Sequence, residues 1–171
     1  TGKWGYNDRL GTINYITNEK VKSSLKFVEK GVSVSLSFKI TEDSLASNKF
    51  NSDKLSSYSH ETNELNFNGY NWVTDNFSIS YHGHTHSHID ALNHLSHNGF
   101  YYNQQKSPNE LGIENFKNGI ITKGILIDLP LLKEKVFIEA GYKITSQDII
   151  EFEEKFDVKI ERGDVLLIRT G

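Results

Sequence analysis

The chain has 171 residues, enough for one ordinary domain with a core of its own. Its 19 Lys+Arg against 22 Asp+Glu give a formal charge of −3, without the basic excess that a phosphate backbone demands, so nucleic acid is excluded as the leading partner. No run approaches the ~18 consecutive apolar residues of a membrane-spanning helix. With no cysteine there is no disulfide, no thiolate nucleophile and no Cys-ligated metal, so any ion must be held by nitrogen and oxygen. The telling count is seven histidines: His60 stands alone, and His82, His84, His86, His88, His94 and His97 crowd one short stretch. The sequence begins at Thr1 and contains no Met, which leaves an N-terminal leader open; the cytoplasm is the expected compartment.

In chain order, Trp4 to Thr12 carries two glycines, an Asp and an Asn without apolar period and reads as irregular structure. A first helix follows, capped by Thr17 or Asn18, with Val21, Leu25 and Val28 as its apolar stripe and Gly31 as its stop. Val32 to Ile40 alternates apolar and polar residues and predicts a half-buried strand. Residues 41–71 are polar and predict a long loop, fit for a lid or an exchanged arm. Trp72 to Ile89 is strand-like, Ala91 to His97 predicts a short helix stopped by Asn98-Gly99, and Ile120 to Leu129 predicts a buried central strand ended by Pro130. A second helix is predicted at about 146–156, with Thr145 and Asp148 as a capping box and Ile149, Phe152 and Phe156 as its stripe. Val165 to Arg169 predicts the last strand. Interleaved strands and helices make the class α/β or α+β with a mixed sheet, in a single domain over 1–171.

If 78–90 were extended, His82, His84, His86, His88 and Asp90 would share one face, because side chains alternate with period two. Neighbours two apart, roughly 6.6 Å along a strand, can converge on one ion, whereas the row of about 26 Å from His82 to Asp90 cannot. The site is therefore binuclear, or some histidines stand behind the ligands, or the chain bends near Gly83. Imidazole with carboxylate suits Zn, Mn, Fe or Co rather than Ca or Mg. His94 lies off the row and is the candidate for moving protons. His60 and His97 read as surface or satisfied residues, and a non-catalytic metal-binding tract is a minor alternative for the rest of the cluster.

The run His84-Thr85-His86-Ser87-His88-Ile89-Asp90-Ala91-Leu92-Asn93-His94, spaced His-x-x-x-His-x-Asp-x-x-x-His, resembles the metal motif of the putative cyclase family, which includes bacterial kynurenine formamidases and isatin hydrolases. Trp4-Gly5 through Asp8, Leu10 to Asn14, Gly99 to Asn103, Gly124 to Asp128 and Arg162 to Gly171 extend the resemblance along the chain. It implies a mixed β-sheet curled into a barrel-like core with flanking helices, of the swivelling β/β/α type. It implies metal ligation by His84, His88 and Asp90, with Asp90 placed to bridge two ions, and His94 as catalytic acid/base. It further implies one or two divalent transition-metal ions, Zn or Mn, a small-molecule amide substrate (a formamide or cyclic amide) hydrolysed by metal-activated water, and a homo-oligomer, dimer or larger. The family's second-metal ligands come from a region after the Arg-Thr-Gly strand, so the chain is expected to lack a C-terminal segment; the alternative is a catalytically inactive metal- or ligand-binding protein. His86 offers a competing pair with His88, and His82 a further ligand or supporting group.

Overall fold

The computed structural model describes residues 2–37, 58–79, 81 and 87–171. The chain forms two compact units, Thr1–Val32 with Ala91–Gly171, and Ser33–Asp90.

In the first unit, helix α1 spans Asn18–Ser24, with the Thr17 hydroxyl accepting the Lys20 N–H at 3.2 Å. It tightens into a 3₁₀ turn over Leu25–Phe27, so the anticipated stripe does not run on as α-helix, and Leu25 and Val28 are exposed. Strand β3 (Gly124–Asp128) pairs in parallel with β4 (Val165–Arg169), with Leu126 opposite Leu167. One face of β3 turns Ile125 and Ile127 inward against Phe152 and, partly, Ile149 and Phe156. These last three lie on helix α3 (Ser146–Phe156), which forms over the residues its pattern predicts. The strand is shorter than predicted. It stops at Asp128, whose carboxylate accepts the Leu131 N–H at 3.0 Å and so caps a short helix α2, Leu129–Leu132, with Pro130 in its first turn.

Two buried carboxylates tie these pieces together. Asp148 accepts from the Thr145 backbone N–H at 2.8 Å and from the Tyr142 hydroxyl, and pairs with Lys133 at 2.7 Å. Asp164, its side chain fully buried, lies between Lys20 and Lys123, which joins α1 to the strand pair.

The second unit holds an antiparallel hairpin, β1 (Tyr58–Phe67) and β2 (Tyr70–Ile79), closed by Asn68-Gly69 with both φ angles positive. Residues 58–67 thus form a strand where a loop was expected. Of the rest of that predicted loop, 68–71 form the hairpin turn and the start of β2, and 41–57 lie outside the described residues. From His60 on, nearly every hairpin side chain is exposed on both faces, so β1 never needed the apolar alternation by which strands are recognised. The strand expected over Val32–Ile40 is not formed in its described part: 32–37 carry no regular structure, and Val32, Val34 and Leu36 are exposed. Of the strand-like stretch 72–89, Trp72–Ile79 belongs to β2, and 87–90 are irregular.

The architecture is mixed α/β with small sheets, one antiparallel and one parallel. Among the described residues no closed barrel is formed, and no helix is long and apolar enough to cross a membrane.

Candidate functional site

The motif falls on both units. In the second, the His88 Nε2 lies 3.6 Å from Asp90 Oδ1, and the Tyr81 ring stands 5.7 Å from the His88 imidazole, tilted by 52°. The imidazole is largely covered and the carboxylate about half exposed. Two donors that each bind one ion at about 2.0–2.1 Å, at angles between tetrahedral and trigonal, are roughly 3.3–3.6 Å apart, so this pair fits a shared ion. Among the described residues no cluster of three or more His, Asp or Glu forms around a common point. His84, the third predicted ligand, lies outside the described residues, as do His82 and His86.

In the first unit, the helix expected over Ala91–His97 is only a turn, closed by the His94 N–H donating to the Ala91 carbonyl at 3.0 Å. His94 sits on that turn, with an exposed side chain, between Leu92 and Leu95. The Asn93 Oδ1 is buried there without a hydrogen-bond partner among the described residues, an acceptor that a donor or ion would complete. His97 and Phe100 bridge each other's backbones across Asn98-Gly99.

A cleft of about 690 Å³ opens beside this turn. Leu92, Leu95, Phe100, Tyr101 and Tyr102 give it apolar and aromatic walls, and Gln104 brings an amide. Behind it stands a set of contacts the sequence did not reveal. The Tyr102 hydroxyl donates to Asp8 Oδ2 at 2.7 Å, and Asp8 also accepts from Gly11 N at 2.9 Å and Asn14 Nδ2 at 2.6 Å. Burial alone would raise the Asp8 carboxyl, but the hydrogen bonds from Tyr102, Asn14 and the Gly11 and Leu10 amides outweigh it and hold the group below its ordinary value. Burial, and then the bond to Asp8 with its charge, push the Tyr102 phenol up to about 12. The only advance signal was Asp8 three residues before a glycine in a stretch without apolar period.

His60, read as a surface residue, bonds Asp75 across the hairpin at 2.8 Å.

Comparison with known proteins places the chain in a family. The model of the family described as "Putative cyclase" matches residues 34–171, and the chain belongs to that family. A crystal structure described as that of a novel cyclase superposes with a TM-score of 0.85 at 25% identity, covering 99% of this chain. The chain spans 60% of that protein's length. No curated protein matches.

Proposed function

We propose that the protein is a metal-dependent hydrolase that cleaves a non-peptide amide, a formamide or cyclic amide, with His84, His88 and Asp90 as metal ligands and His94 as acid/base. The observation that carries this reading is the His88–Asp90 pair, set 3.6 Å apart within the stretch that the cyclase family's model matches. The donors, one imidazole and one carboxylate, suit Zn or Mn better than Ca or Mg. When bound, such an ion supplies a water acidified toward neutrality and polarises the amide carbonyl.

The chain's own residues do the rest. His88 and Asp90 would hold the ion, and the two oxygens of Asp90 would give it the capacity to serve a second one. His94 on its turn passes a proton to the departing nitrogen, which would otherwise leave as an unstable amide anion. The aromatic walls from Phe100 to Tyr102 accept the flat body of an aryl or cyclic amide. A barrel-like closure of the sheets, a homo-oligomer and a cytoplasmic location belong to the same proposal.

The test is metal analysis of the purified protein together with hydrolysis of N-formylkynurenine and isatin. Stoichiometric Zn or Mn with turnover of either compound supports the reading; a folded protein that takes up neither metal removes it.

A further inference from the structure

The opening segment and the wall of the cleft are built as one piece. Five side-chain links join residues 2–14 to residues 102–110: Tyr102 to Asp8, Asn103 to both Gly2 and Gly5, Gln105 to the Tyr6 carbonyl at 2.9 Å, and Arg9 to Glu110. Gly11 closes the Asp8 turn at φ +59, a left-handed conformation that favours glycine, and it lies against Leu92 and the Tyr102 ring, both cleft-lining residues. On the other side of the seam, Asn103 and Gln104 are consecutive non-glycine residues at φ +58 and +63. Such left-handed conformations are disfavoured for a residue with a Cβ and persist where the surroundings over-determine them. Here the Asn103 amide, bonded at both ends to the opening segment, does the determining.

We infer that Asp8 is a positioning residue for the cleft: by accepting the Tyr102 hydroxyl it fixes the phenol ring as a wall, presents the ring to a bound planar amide, and withholds the hydroxyl proton from it. The inference rests on the hydrolase reading only for the chemistry of the ligand. Asp8 suits the task because its carboxylate already carries the Gly11 amide and the Asn14 side chain, so it is itself immobile. A phenol tied to it can neither swing into the cleft nor donate there.

The experiment uses oxindole, a planar cyclic amide that resists hydrolysis, and follows its binding by calorimetry to the purified full chain and to Asp8→Asn, Tyr102→Phe and the double variant. A lost hydrogen bond to a charged group predicts roughly tenfold weaker binding for each single variant. The double variant is expected to be no weaker than the singles, because both remove the same link. Ultraviolet difference titration gives an independent signature. The phenol that ionises at about 12 in the parent should move toward the ordinary tyrosine value in Asp8→Asn and vanish in Tyr102→Phe. Should Asp8→Asn fail to fold, Tyr102→Phe decides, since it leaves the other Asp8 partners in place.

Unchanged affinity in both single variants, additive losses in the double, or a parent that does not bind oxindole would each overturn the inference. Binding that weakens as described in a protein that hydrolyses no amide would instead leave it standing and remove the hydrolase reading.

Discussion

His88 Nε2 and Asp90 Oδ1 stand 3.6 Å apart across the single residue between them, on a stretch, 87–90, that forms no regular secondary structure. On a regular strand their Cα atoms alone would be about 6.6 Å apart, and the side chains would have to lean together. Loss of either donor is therefore expected to cost metal. His88→Ala and Asp90→Ala should each lower metal retention on dialysis by tenfold or more, to judge from the ~10–100-fold cost of disturbing even supporting groups. Circular dichroism should stay unchanged, because neither residue is in the core around Ile127.

His94 should behave differently. His94→Ala is expected to keep its metal and lose hydrolysis by about 10²–10⁴-fold, the usual contribution of a positioned acid or base. Metal content and turnover measured on one preparation separate the two roles; equal loss of both would make His94 a ligand instead.

The core prediction compares neighbours on one strand. Ile127 is fully buried against α3, whereas Leu126 is more than half exposed on the other face of β3. Ile127→Ala should destabilise by about 2–5 kcal/mol and Leu126→Ala by less than about 1 kcal/mol, read from urea midpoints at constant slope.

Acid sensitivity should centre on Asp148. The Lys133 ammonium, then the Tyr142 hydroxyl and the Thr145 amide, hold this buried carboxyl far below its ordinary range. Since the folded value lies below the unfolded value of about 3.9, its contribution is complete above that value and is lost as the pH falls through it toward the folded one. Asp148→Asn should lower the urea midpoint at pH 7, and the gap from the parent should narrow when both are measured near pH 2. A gap of constant size would mean that the ion pair adds nothing.

What the sequence disclosed follows physical lines. Helix α3 was legible because Ile149, Phe152 and Phe156 repeat at helical spacing and Thr145 and Asp148 mark its start, all local signals. Strands β3 and β4 were legible as short apolar runs, but not that β3 ends at Asp128, whose second role as a helix cap depends on the Leu131 amide. Strand β1 was hidden, because it is polar and, among the described residues, pairs only with its hairpin partner; the Asn68-Gly69 turn was its local mark. In the candidate site, side-chain alternation marked the row from His82 to Asp90 and left His94 off it, a local signal, whereas the choice of His84, His88 and Asp90 as ligands came from the family resemblance. The Asp8–Tyr102 link joins residues 94 positions apart and could not be read from either end.

The central claim is that His88 and Asp90 hold a transition-metal ion. Metal analysis by plasma mass spectrometry, on the parent and His88→Ala proteins purified side by side and loaded with Zn or Mn, tests it most directly. At least one tightly held ion per parent chain is expected, with a large loss in the variant. A parent chain that holds no ion, or a variant that holds as much as the parent, would contradict it.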